Sequence, residues 1–254
     1  MKNLFSLKGQ VAVITGASRG IGRSIAETMA EQGAKVVVSS RKAEACEEVA
    51  QGIRAAGGEA HVIACNISRR NEIEALISGT REKYGRIDTL VCNAAINPVY
   101  GSLADLQDDA FDKIMAVNIR SNLWLSNLVI PGMAERGGGS IIIISSIAGI
   151  EGNPVIGAYG ISKAADMALA RNLAVEFGPK NIRVNCIAPG LVKTDFARAL
   201  WEDEAMLKSR NARTPLRRIG APDEIGGIAA FLASPAGSFI TGQVIVADGG
   251  VTIS

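Results

Sequence analysis

The sequence predicts an α/β protein, one parallel sheet with helices on both of its faces. Three observations carry this. Short apolar runs alternate with segments of helical periodicity from end to end, the order a parallel sheet requires. Positions 141–144 are all isoleucine, a run short enough for a strand and apolar enough to be buried on both faces. A glycine loop, Gly16-Ala17-Ser18-Arg19-Gly20-Ile21-Gly22, joins the first apolar run directly to the first helical one. With 254 residues, no Pro- or Ser-rich linker and no charge block, the chain reads as a single domain. Its 48% hydrophobic residues and 28 glycines suit a large core and many tight turns.

The first strand is Val11-Ala12-Val13-Ile14-Thr15, and helical periodicity begins at Ile21. Strand, glycine loop and helix together form the context in which glycines mean dinucleotide binding. Glycines let the backbone approach a pyrophosphate, and the helix N-terminus supplies free N–H groups and a positive dipole end. The second strand spans 34–40 and runs into Ser40-Arg41-Lys42. An acidic residue near this point would hold a ribose 2′-hydroxyl, but none lies between Ser39 and Lys42. Arg41 stands there instead, with Arg19 in the glycine loop nearby. Guanidinium forks suit a phosphate, so the pair points to a 2′-phosphate and thus to NADP. Helices are expected over 42–56 and 69–84, and strands over 59–66 and 87–95. Asn66 ends the third strand, within reach of an adenine edge. Asn93-Ala94-Ala95 ends the fourth beside the glycine loop, either tying strand ends together or touching a ligand.

A long helix is expected over 106–135, with Asn118 inside it, although asparagine is a poor mid-helix residue. The isoleucine strand ends at Ser145-Ser146, which places a hydroxyl at the mouth of an open sheet. The segment 157–177 then reads as a helix, and its spacing puts Tyr159 and Lys163 on one face, one turn apart. An ammonium beside a phenol favours the phenolate, so the Tyr159 pKa is expected to fall toward working pH. That gives a proton donor or acceptor usable in neutral water. A strand at 182–187 leads into Ala188-Pro189-Gly190, where the nicotinamide half of a cofactor should lie. The mixed segment 196–213, with Trp201 and Met206, is a candidate lid, and the lid region as a whole is placed at about 191–213. A helix over 222–233 and a strand over 243–247 complete the alternation.

Composition excludes several classes. A net charge of +2, from 27 basic and 25 acidic residues, is too balanced for a nucleic-acid or anionic-membrane partner. Cys46, Cys65, Cys92 and Cys186 form no C-x-x-C pair and read as buried free thiols in a reducing, cytoplasmic setting. The single histidine, His61, has no neighbours with which to build a metal site. No apolar run reaches the roughly 18 residues of a membrane span. No signal-peptide pattern precedes the first strand, and Thr252-Ile253-Ser254 is not the peroxisomal tripeptide.

In order and spacing, the residues from Thr15 to Gly22, Asn93-Ala94-Ala95, Asn118, Ser146, Tyr159, Lys163 and Pro189-Gly190 resemble the short-chain dehydrogenase/reductase family over essentially the whole chain. The resemblance implies a Rossmann-type doubly wound sheet of seven strands in order 3-2-1-4-5-6-7. It implies a catalytic tetrad in which Tyr159 protonates the carbonyl oxygen and Ser146 hydrogen-bonds it. Lys163 would hold the nicotinamide ribose and lower the tyrosine pKa, and Asn118 would position a water feeding a proton relay. The cofactor would lie against Gly16, Ser18, Arg19, Gly20, Ile21 and Gly22. It would continue past Ser40, Arg41, Asn66 and Ile67, then Asn93, Ala94 and Ala95. Tyr159, Lys163, Pro189, Gly190, Val192 and Thr194 would hold its nicotinamide end.

Val37-Val38-Ser39-Ser40-Arg41-Lys42, Asn93-Ala94-Ala95-Ile96-Asn97-Pro98, the run from Asn181 to Gly190 and the run through Ala199-Leu200-Trp201 look like a narrower group. This is the NADPH-dependent carbonyl and retinal reductases of animals, family member 4, with their bacterial relatives. Ala95 stands where the wider family has glycine, and Asn66 where it has aspartate. The expected activity is hydride transfer between NADPH and a ketone or aldehyde, reversible with the alcohol. A 3-oxoacyl-thioester reductase shares the tetrad and would use Arg213, Arg217 and Arg218 at the rim. A non-catalytic NADPH-binding regulator would be expected to break the tetrad, which is filled here. The family also implies a homotetramer, and apolar residues crowd the two helices concerned (Trp124, Leu125, Leu128, Met167 and Leu169).

Overall fold

All seven expected strands form. They are β1 (Val11–Thr15), β2 (Lys35–Ser39), β3 (Glu59–Val62), β4 (Thr89–Cys92), β5 (Gly139–Ile144), β6 (Ile182–Pro189) and β7 (Val244–Ala247). The computed structural model describes residues 3–254, the side chain of Ala199 apart. All pairings are parallel, in the order β3-β2-β1-β4-β5-β6-β7. The principal helices are α1 (Gly20–Glu31), α2 (Ala43–Ala55), α3 (Arg70–Tyr84), α4 (Asp108–Met115), α5 (Ser121–Glu135), α6 (Gly157–Phe177), α7 (Arg198–Trp201), α8 (Glu204–Arg213) and α9 (Pro222–Ala233).

The four isoleucines of β5 show how the sheet divides the core. Side chains alternate across a strand, so Ile142 and Ile144 join α1, α2 and α9 on one face. Ile141 and Ile143 join α3, α5 and α6 on the other. Each fully buried side chain of this size contributes roughly 1.5–3 kcal/mol, and neither face can take a polar replacement. Strand order reverses between β1 and β4, and the crevice outside their carboxyl ends is where an open α/β sheet binds ligands.

Several expected boundaries move, and β6 runs on to Pro189, past the expected end at 187. β3 stops at Val62 rather than running to 66, because it is an edge strand with one neighbour and Asn66 closes a local turn on Ser68. β4 stops at Cys92 because the Asn93 side chain turns back to the glycine loop. The long helix over 106–135 is three pieces. It starts at Asp108, and a π turn, Ala116–Arg120, separates α4 from α5, with the Ser121 N–H reaching Ala116 O.

The apolar crowding on α5 and α6 is largely the chain's own core. Leu125 and Met167 are buried, and Trp124, Leu128 and Leu169 pack partly buried against the same cluster. The exposed apolar side chains on these helices are Leu123, Ile161 and Val175. Among the described residues, no helix is long and apolar enough to cross a membrane, and no group of three metal-binding side chains occurs. All four cysteines are free and buried.

Candidate active site

The glycine loop is clamped from β4. Thr15 donates its hydroxyl proton to Val91 O and accepts the N–H groups of Asn93 and Ala94. Asn93 spends both amide protons on Thr15 O (2.9 Å) and Gly16 O (3.1 Å). Of the two roles open to Asn93, the structure shows the strand-tying one. The fit is too close for side chains, since a Cβ on Gly22 would run into Asn93 Nδ2 and Gly16 O. Gly16 and Gly20 also hold positive φ angles of 65° and 57°. Such a bare backbone cradle before the N-terminus of α1 suits a pyrophosphate.

At the end of β2, Ser40 Oγ lies 3.1 Å from Cys46 Sγ, and Arg41 is exposed and pairs with no carboxylate among the described residues. The Arg19 guanidinium lies 3.7 Å from Asp195, in the candidate lid. Asn66 directs its amide oxygen to the N–H and hydroxyl of Ser68, which leaves its amide N–H groups for any contact outside its own turn.

The Tyr159 face of α6 meets the turn after β5 at very short range. A Cβ on Gly160 would lie 2.6 Å from Ala148 O, and one on Gly149 would lie 2.6 Å from Ala164 N. Two facing glycines thus bring the 146–149 turn onto the helix, where Ser146 Oγ accepts from Ala148 N at 3.1 Å and its hydroxyl works to lower the Tyr159 pKa. The phenol is half-buried, 5.6 Å (ring centre) from Lys163 Nζ. Burial raises its pKa. Lys163 pulls it down, but Asp166 opposes the lysine, so the expected fall below the ordinary tyrosine value does not occur. Lys163 is itself buried. It donates to Ile144 O (2.9 Å) and Asp166 Oδ2 (3.0 Å). Burial works against its charge, yet Asp166 and Tyr159 outweigh it and raise the lysine pKa.

Asn118 sits behind this face, fully buried at the centre of the π turn. Its oxygen accepts from Ile96 N, and its two protons go to Ile96 O and Ser162 Oγ. Both amide protons are therefore spent inside the protein, and one lone pair of the oxygen remains.

The expected site residues, from Gly16, Ser18, Arg19, Gly20, Ile21 and Gly22 through Ser40, Arg41, Asn66, Ile67, Asn93, Ala94 and Ala95, line one cleft of about 1780 Å³. Ser146, Tyr159, Lys163, Pro189, Gly190, Val192 and Thr194 line it too, and Asn118 alone does not. The segment after β6 covers the far end. Phe196 lies 6.2 Å from the Tyr159 ring (centre to centre), and the Trp201 indole N–H donates to Thr194 O. No side chain of α8 is buried. Sequence reasoning missed Asp166 and Asn122. The signal for Asp166 was present, because Tyr159, Lys163 and Asp166 fall at i, i+4 and i+7 of one helix face.

A family model described as enoyl-(acyl carrier protein) reductase matches residues 16–252. The chain is 42% identical to dehydrogenase/reductase SDR family member 4 of Bos taurus over 244 residues, 96% of this chain and 88% of that protein. The human protein of the same name is 39% identical over the same spans. A solved 7 alpha-hydroxysteroid dehydrogenase, complexed with NADH and 7-oxo glycochenodeoxycholic acid, superposes with TM-score 0.94 at 39% identity over 98% of each chain. A gluconate 5-dehydrogenase from Burkholderia cenocepacia, in complex with NADP and tartrate, gives TM-score 0.94 at 34% identity over 99% of this chain and 98% of that one.

Proposed function

We infer the activity from one premise: the chain belongs to the short-chain dehydrogenase/reductase family. Within it, this chain is an NADPH-dependent carbonyl reductase acting on a ketone or aldehyde, reversible with the secondary alcohol. The observation that carries this reading is the convergence of Ser146, Tyr159 and Lys163 on the cleft that the glycine cradle opens into. The bare cradle and the unpaired Arg41 fit a phosphorylated dinucleotide.

A bound nicotinamide supplies the hydride for reduction, or takes it in the reverse direction. Tyr159 Oη gives its proton to the carbonyl oxygen, and Ser146 Oγ–H donates to that oxygen, so charge does not build up on it. The Lys163 ammonium stabilises the phenolate left behind. Two of its three protons are committed to Ile144 O and Asp166, which leaves one for a ribose hydroxyl. Asn118 holds the π turn and would position a water feeding the proton relay. Segment 191–213 acts as the lid, with Phe196 and Trp201 as its inner face. The setting is cytoplasmic and the assembly a homotetramer, with Leu123, Ile161 and Val175 as the apolar residues of α5 and α6 free to meet a second copy.

The 3-oxoacyl-thioester reading is less well supported. Of its rim arginines, Arg213 and Arg218 line the cleft, but Arg218 is paired with Glu224, and Arg217 donates to Ala212 O. The test is kcat/KM with NADPH and NADH against a panel of ketones, quinones, retinal and acetoacetyl thioester, in wild type and Arg41→Asp. A charge-assisted bond at an exposed guanidinium supports a preference for NADPH on the order of 10²-fold. Arg41→Asp should reverse part of it. Equal use of both cofactors by the wild type, or an unchanged ratio in the variant, refutes the NADPH assignment.

A further inference from the structure

Asp166 is a carboxylate with no exposed surface, in a helix face otherwise committed to the apolar core and the reacting groups. Its two oxygens are divided. Oδ2 accepts from Lys163 Nζ at 3.0 Å, and Oδ1 accepts from Asn122 Nδ2 at 2.9 Å. Asn122, also buried, gives its other amide proton to Asn118 O at 2.7 Å and leaves its own oxygen without a partner. From the opposite side, Asn118 Nδ2 donates to Ser162 Oγ, which donates to Tyr159 O. This circuit of hydrogen bonds, completed through the backbone of Asn118 and of α6, joins the π turn to α6 around the Tyr159–Lys163 pair.

This circuit is a poor device for stability. A buried ion pair rarely stabilises a protein more than apolar side chains of the same size, and an orphaned amide oxygen counts against it. What it does is hold one ammonium. The lysine stem enters from α6, and its nitrogen is caught between the carbonyl at the end of β5 and the Asp166 carboxylate, so it has one geometry beside the phenol.

We propose, resting on the carbonyl-reductase reading, that Asp166 is a positioning residue of the reaction, which with Asn122 keeps the Lys163 ammonium charged and fixed beside Tyr159. Burial is the largest influence on Lys163 and disfavours its charge, and Asp166 is the main counterweight. Lys163 in turn is the main influence lowering the Tyr159 pKa, ahead of the opposing effect of Asp166 itself. The other titratable groups facing the pair do not replace it. Cys92 on β4 and Cys186 on β6 are pushed up by burial and stay neutral, and Tyr100 faces Tyr159 without positive charge. Arg171, further along α6, acts on Cys186 rather than on the pair.

The test is the pair of variants Asp166→Asn and Asp166→Leu/Asn122→Leu. The second replaces the polar circuit with apolar volume, so the experiment survives if the first misfolds. In either folded variant Lys163 loses its counterweight against burial and with it its charge, so the main influence lowering Tyr159 goes. The pH-rate limb set by Tyr159 should therefore move up by about one pH unit or more, although the direct repulsion from Asp166 is removed as well. kcat at neutral pH should fall about 10-fold or more, consistent with weakened proton transfer, with KM for the carbonyl substrate nearly unchanged. A merely structural Asp166 would change melting temperature and leave the limb in place. A limb that stays, or moves to lower pH, overturns the proposal. Ultraviolet difference titration of the free protein, with Tyr159→Phe subtracted, reads the same tyrosine ionisation without turnover. It separates failure of this inference from failure of the carbonyl-reductase reading.

Discussion

Gly160→Ala tests whether the close approach of α6 to the 146–149 turn sets the rate. The added methyl would begin 2.6 Å from Ala148 O, where ordinary contact starts near 3.4 Å. Something must therefore move by roughly 0.8 Å to reach a normal van der Waals separation. The helix cannot take up all of it, because Met167, Ala170 and Leu173 of α6 are packed into the core cluster behind it. Overpacking of this kind costs about 1–3 kcal/mol, offset by up to about 1 kcal/mol from the better helix propensity of alanine. Net destabilisation of about 0–3 kcal/mol lowers Tm by a few degrees for a chain of this size. Activity should suffer far more. Ser146 sits two residues from the displaced carbonyl, and a misplacement approaching 1 Å at a reacting group costs on the order of 10²-fold in kcat. The assay is kcat at saturating NADPH beside a thermal melt, with Gly152→Ala as the control, since nothing lies within 4 Å of a Cβ there. A Gly160→Ala enzyme with wild-type kcat would show that the turn absorbs the methyl without moving Ser146, and the positional argument would fail.

Tyr159→Phe should lower kcat by about 10²-fold or more through loss of the general acid, while NADPH affinity by fluorescence titration changes little; near wild-type turnover would rule out Tyr159 as the proton donor. Glu224 has its pKa lowered to about 2 by Arg218 and by the Ala221 N–H it accepts at the start of α9. A depressed carboxylate pKa contributes stability above its unfolded value, near 4.5, that is lost as pH falls toward 2. The Tm gap between wild type and Glu224→Gln should therefore be open at neutral pH and close over that interval; a gap independent of pH would refute the pairing. Light scattering at micromolar concentration should give about four times the 26.5 kDa chain mass, and a monomeric mass would eliminate the homotetramer.

The sequence by itself determined the order of elements and the cleft. Apolar runs such as 141–144 admit little but a doubly buried strand, and a glycine loop between strand and helix admits little but a backbone cradle. It also determined that Tyr159 and Lys163 share a helix face, because a spacing of four residues fixes that whatever surrounds the helix. The tertiary structure alone decided what those side chains meet. Asn122 and Asp166 are 44 residues apart, and their bond exists only because α5 and α6 pack on the same face of the sheet. The π turn at Asn118 was hidden for the same reason. Nothing local favours an i→i+5 bond there, and the amide is held by Ile96 and Ser162, from two other segments. The contact of Arg19 with Asp195, far along the chain, is likewise visible only in the folded molecule. The Tyr159 pKa was misjudged because spacing reveals the neighbouring ammonium, whereas burial and the carboxylate behind it are properties of the packed molecule.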